Sequence, residues 1–111
     1  MRIVDRALLD SFRDKCKCEH CGAAVPTGCH PHHLWTRGMG SGGRLDIAIN
    51  LIALCSLCHR RTHDGAIHRD QLLAAVARRE GIRADEIEQR IYNFKRRLAP
   101  RWGIRGLKGL R

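Results

Sequence analysis

Apolar side chains recur along this chain in two rhythms. Over the first fifteen residues Ile3, Ala7, Leu8 and Phe12 fall at helical spacing with acids and bases between them, which predicts a short amphipathic helix over 3–15. Farther on, LDIAINLIAL from Leu45 to Leu54 is nearly continuous in apolar residues and rich in isoleucine, the pattern of a buried strand, with a turn near Asp46 before it. An earlier strand is expected to open at Pro31, which biases His30 to an extended conformation, and to run through His32 and His33 to Leu34 and Trp35, both suited to a strand. Between the two, TRGMGSGGR over 36–44 holds four glycines and reads as a loop. The helical rhythm returns after Cys58. HRRTHDGAIH starts a helix that Gly65 interrupts. A second helix runs from Asp70 to Gly81, with Leu72, Leu73, Val76 and Ala77 along one side. A third, capped at Asp85 with Glu88 three residues on, carries Ile87, Ile91, Phe94 and Leu98 as a stripe and ends at Pro100. The last two are expected to form a packed hairpin across GIRA, a DNA-reading helix pair being the fainter alternative.

Strands followed by helices at 111 residues describe one small α+β domain. A core of that size gives modest stability, so a cross-link is expected. Six cysteines can supply it. MRIVDRALLDSF places Asp5, Arg6 and Asp10 where a signal peptide needs an apolar run, and no window resembles a membrane span. The expected setting is therefore intracellular and cytoplasmic, where thiolates on metal are favoured over disulfides.

The cysteines are arranged accordingly. Cys18-Glu-His-Cys21 and Cys55-Ser-Leu-Cys58 share the C-x-x-C gap, and 33 residues separate them. Each tight turn presents two sulfurs, and four of them close a tetrahedral site for one structural Zn2+. Cys16 and Cys29 are left as free thiols, and His20 as an exposed loop histidine. Beside the second pair, His59 and His63 are four residues apart, so a helix after Cys58 would set both on one face. His30-Pro31-His32-His33 is the densest histidine cluster. Neighbours on a regular strand point to opposite faces, so His32 and His33 share a site only if the strand is irregular or if they flank the site from two sides.

Taken in order, Cys18-x-x-Cys21, His32-His33, Asn50 and Cys55-x-x-Cys58-His59-x-x-x-His63 resemble the HNH endonuclease family. HHLW, INLIALC and CSLCHRRTH carry the likeness over residues 16 to 68. The resemblance implies a ββα-metal nuclease core stapled by a four-cysteine zinc, here with an N-terminal helix and two C-terminal helices. It implies His33 as the general base toward the attacking water, and His32 and His59 as ligands of a catalytic divalent ion, with His63 as a further ligand found in some members. Asn50 would hold the loop and orient the base. Phosphodiester chemistry asks for the same division of labour: a proton acceptor, and positive charge on the phosphorane and the leaving 3′ oxygen. A closed thiolate site has no open position, so scaffold ion and catalytic ion must differ. Members of the four-cysteine branch often carry aspartate where His32 stands. An imidazole shell would also accept Zn2+ or Ni2+, although Mg2+ or Mn2+ is expected first.

Charge points to the same substrate. Lysine and arginine number 21 against 11 acids, a formal net charge of +10. Seven of those bases and no acid lie in residues 95–111, leaving the first 94 with 14 bases against 11 acids. Arg101, Arg105 and Lys108, interleaved with glycines, fit a flexible arm that follows phosphates. Arg37, Arg44, Arg60 and Arg61 are candidates for gripping phosphates at the site. The chain divides as a nuclease core over 1–69, a helical extension over 70–99 and a basic tail over 100–111. The expected partner is DNA, most simply double-stranded, with no membrane, and the chain itself monomeric or homodimeric. Such a chain fits phage, mobile-element or restriction equipment in a bacterial host. A non-catalytic zinc-stapled DNA-binding module is the competing reading.

Overall fold

The computed structural model describes residues 3–35 and 45–98. Arg37 and Arg44, and Arg101, Arg105 and Lys108 of the basic tail, lie outside the described residues. The elements run α1 (Arg6–Arg13), β1 (His30–His33), a 3-10 turn (Ala48–Asn50), β2 (Leu51–Leu54), α2 (Ser56–His63), α3 (Arg69–Glu80) and α4 (Ala84–Leu98). Among the described residues the result is a small α+β unit with a two-stranded antiparallel sheet and four helices. No helix among the described residues is long and apolar enough to cross a membrane.

Burial of β2 explains its unbroken apolar run. Leu51, Ile52, Ala53 and Leu54 are all inaccessible, because both faces of the strand are covered. Leu51 and Ala53 pack with Leu9, Phe12 and Cys29 on the α1 side. Ile52 and Leu54 join Leu72, Leu73 and Val76 of α3 and Ile87 and Ile91 of α4 on the other. The two later helices therefore share a core with the strand that precedes α2.

Several element boundaries depart from expectation. β1, expected to open at Pro31 and run on to Trp35, spans His30–His33 in register with Leu54 to Leu51 and stops short of Leu34 and Trp35. Leu34 only extends the pairing through its N–H to the Asn50 carbonyl at 2.9 Å. Ile3 belongs to a short bridge with Leu45, so α1 opens late, on the Asp5 carboxylate that accepts from the Leu8 N–H at 3.0 Å. That start turns Leu9 and Phe12 inward and leaves Ala7 exposed. α2 begins before Cys58, capped by Cys55. Asp85 sits within the first turn of α4 rather than at its cap and pairs with Arg83 at 2.6 Å, its charge still suited to a helix start.

The first cysteine pair is a miniature hairpin docked on the sheet. Lys17 bridges Ala24, and the Cys18 N–H reaches the Ala23 carbonyl at 2.9 Å. Glu19 fastens this hairpin to the free edge of β2: its N–H donates to the Ala53 carbonyl at 2.9 Å and its carboxylate accepts the Ala53 N–H at 2.7 Å. Arg79 of α3 completes the joint, donating to Glu19, to the Leu51 carbonyl and to the Ala48 carbonyl at 2.9, 3.0 and 2.6 Å. The return to β1 passes Gly28 at φ +96, where a Cβ would stand 2.3 Å from the Arg13 carbonyl oxygen. Only glycine fits that approach.

Candidate metal centres and the cleft at the histidines

Among the described residues the fold assembles two groups of metal-capable side chains. The first is Cys18, Cys21, Cys55 and Cys58, whose sulfurs all lie within 4.8 Å of one another. Cys21 and Cys55 approach to 3.8 Å, the edge of a tetrahedron with metal–sulfur bonds of about 2.3 Å. Cys18, and not Cys16, completes the set; Cys16 is exposed and Cys29 is buried elsewhere, in the core beside α1. Each turn also points a backbone N–H at a sulfur, Cys21 at Cys18 and Cys58 at Cys55, at 3.5 and 3.4 Å. Burial raises the Cys18 thiol, but the N–H groups of Cys21, Cys55 and His20 outweigh it and bring it down to about 7. Cys58 is pushed up strongly, by burial and by the neighbouring cysteines. A cation would relieve that crowding of sulfurs, and the cluster could hold a metal ion, for which zinc is suited. His20 is half-buried rather than a loop bystander, its Nδ1 lying 3.5 Å from the Cys58 sulfur.

The second group is His32, His59 and His63, again with ligand atoms within 4.8 Å of one another. α2 sets His59 and His63 one turn apart with their Nε2 atoms 3.1 Å from each other. Two nitrogens bound to one ion at about 2.1 Å would stand about 3.0 Å apart in an octahedral shell and about 3.4 Å in a tetrahedral one. The separation suits two ligands of one ion as well as an N–H···N hydrogen bond, and the three histidines could hold a divalent cation. His32 reaches the pair from β1, its ring centre 5.6 Å from each. Burial, then His59, His63 and His33, lower His32 to about 4. His59 is lowered as well, by burial and by His63 and His30. Neutral imidazole is the ligating form.

A stability consequence follows. The unfolded chain takes a proton on His32 near 6.5, whereas the folded chain holds it off until about 4. In that window the unfolded state binds more protons, so stability rises with pH. Without added divalent ions, the His32 contribution is expected to be complete above pH 6.5 and to disappear as the pH falls to about 4. Urea midpoints for the wild-type chain and for His32→Asn should separate across this window. Parallel curves would contradict it.

β1 is a regular strand, so His32 and His33 do take opposite faces, His32 with Ile52 and His33 with Leu51. Both border one cleft of about 680 Å³, together with His59 and His63. His33 Nε2 lies 2.7 Å from the Asp46 carboxylate, which is buried and also accepts the Asp5 N–H at 2.8 Å. Asp46 is the partner missed in the sequence, where it reads only as a turn residue. His30 was missed too. It stands two positions from His32 on the same face, stacks on His59 at 5.2 Å and 10°, and meets Ser56 Oγ at 3.2 Å. Its spacing from His32 was the available signal.

Asn50 is fully buried and ties Trp35 to Leu45. Its Oδ1 accepts the Trp35 N–H at 2.9 Å, and its Nδ2 donates to the Trp35 and Leu45 carbonyls at 3.1 and 3.0 Å. Arg60 and Arg61 are exposed on α2, with no carboxylate partner among the described residues. No family model matches the chain, and no curated protein or solved structure does either.

Proposed function

We propose that this chain is a metal-dependent HNH-type endonuclease that hydrolyses DNA phosphodiester bonds on a ββα-metal core. The observation that carries the reading is the convergence of His32, His59 and His63 on a cleft that His33 also borders, with the four cysteines grouped separately. An ion held by the three histidines would supply positive charge against the phosphorane and the leaving 3′ oxygen.

The remaining roles fall to the chain's own side chains. An ionised Asp46 accepts a hydrogen bond, which places the proton on His33 Nε2 and leaves Nδ1 free to take a proton from water. Asp46 thereby acts as a positioning residue for the base. Asn50 fixes Trp35 and Leu45, and so holds the exit of β1 and the approach to Asp46 in register. Arg60 and Arg61 supply cations for flanking phosphates from the outer side of α2. The cysteine cluster sets the start of α2, since Cys55 caps it and His59 immediately follows Cys58. The competing reading, a DNA-binding module without catalysis, has no use for a histidine paired with a buried carboxylate at the cleft wall.

The test is incubation of supercoiled and linear DNA with Mg2+, Mn2+, Ni2+ or Zn2+, with brief EDTA treatment as control and with end labelling. Nicking or linearisation is expected with Mn2+ or Mg2+ and none with EDTA, leaving 3′-hydroxyl and 5′-phosphate ends. An all-imidazole donor set also leaves room for activity with Ni2+ or Zn2+. Retention of DNA with no cleavage under any ion would favour the binding module.

A further inference from the structure

One cation at the cleft has no part in this chemistry. Arg69 is the first residue of α3, exposed, and lines the cleft along with His32 and His63. It lies beyond the segment that resembles the HNH family. Its guanidinium carbon is 4.7 Å from the centre of the Trp35 ring. No carboxylate among the described residues pairs with it, whereas Arg13, Arg79, Arg83 and Arg90 each meet an acid.

The platform beneath it is fixed. Trp35 packs against the main hydrophobic cluster, and its N–H and carbonyl are both bound by the buried Asn50. A guanidinium over an anchored aromatic ring is held by the ring's negative face, and its N–H donors stay available for a planar, bidentate acceptor. A phosphate diester offers that acceptor. The same Asn50 that ties Trp35 to Leu45 therefore also steadies the base of this cation.

We propose that Arg69, held over Trp35, binds a backbone phosphate of the nucleic-acid strand in the cleft, next to the phosphate at the histidine cluster. The identity of the strand rests on the nuclease reading. Arg69 positions the substrate and takes no part in the chemical step.

Binding to a labelled DNA duplex, followed by fluorescence anisotropy over a salt series without added divalent ion, tests it on the full chain. Arg69→Ala is expected to weaken binding about tenfold at about 0.1 M salt and to lower the slope of log affinity against log salt by about one. Arg69→Lys should recover the slope but not the affinity, because an ammonium lacks the fork and the stacking surface. Circular dichroism and the thermal midpoint should match wild type, since the side chain is exposed. With Mn2+, Arg69→Ala should raise KM for DNA and leave turnover of bis(p-nitrophenyl) phosphate, which has no neighbouring phosphate, within about twofold. Unchanged affinity and slope would overturn the proposal whether or not the chain cleaves. So would an equal loss on both substrates. If no ion supports cleavage while the binding defect persists, the phosphate site stands and the nuclease reading falls.

Discussion

His33→Ala and His33→Gln are both expected to lower DNA cleavage by roughly 10²- to 10⁴-fold, the range lost when a positioned general base is removed. The two variants separate chemistry from structure. Alanine removes the imidazole and its contact with Asp46, while the Asp46 carboxylate keeps the Asp5 N–H. Glutamine can still donate to Asp46 but cannot take a proton from water at neutral pH. If the loss came from a disturbed fold, glutamine would restore activity. If it comes from the missing base, both variants fail alike. Neither should lose the ion, because His33 is outside the group formed by His32, His59 and His63. DNA binding, read by gel shift, should stay near wild type, since most affinity comes from cations on phosphates. Single-turnover nicking with saturating Mn2+ is the measurement, and cleavage by either variant at the wild-type rate would remove His33 from the mechanism.

Much of this arrangement could be read from the sequence, and the parts that could not have a common cause. The C-x-x-C pairs and the His59–His63 pair were legible because each is local: a tight turn or one helical turn brings its members together whatever the rest of the chain does. The apolar run of β2 and the leucines of α3 were legible for the same reason. Apart from His30, what escaped depends on contacts between distant segments. Asp46 reads as a turn residue until the strand register sends His33 toward it, 13 residues away. His20 reads as exposed until the two cysteine turns close and bring it against Cys58 from 38 positions away. The start of α1 slipped because Ile3, apolar and correctly spaced for helix, is drawn into a bridge with Leu45 instead. The strand expected from Pro31 to Trp35 stops at His33, because its partner Leu51–Leu54 pairs with His30–His33 despite the side-chain preference of Leu34 and Trp35. Intrinsic β preference is weak against such pairing.

Removing one sulfur should affect the whole molecule. Cys58→Ala is expected to lose the metal from the cysteine cluster and, with it, cooperative folding. Cys58 is buried in the main hydrophobic cluster and lies one turn into α2. Structural zinc contributes about 10–16 kcal/mol in isolated finger peptides, whereas a small domain has a total margin of about 5–15 kcal/mol. Even a fraction of the metal contribution is therefore comparable with everything that keeps the chain folded. Alanine also leaves a small void where the sulfur packed, but a cavity of that size costs much less. The two causes can be told apart with cysteines outside the cluster. Cys29→Ala creates a comparable void, in the core beside α1, and should retain one zinc per chain with a lower but sharp thermal transition. Cys16→Ser, exposed and away from the four sulfurs, should change neither metal content nor melting. Metal analysis by mass spectrometry alongside thermal melts reads all three variants. A Cys58→Ala protein that melts cooperatively with one zinc bound would mean that Cys55 and the first pair do not need it, and the four-sulfur site would have to be abandoned. Loss of metal there should also abolish cleavage although His59 is untouched, because the start of α2, and hence the direction of His59, depends on the Cys55 cap and the sulfur that follows it.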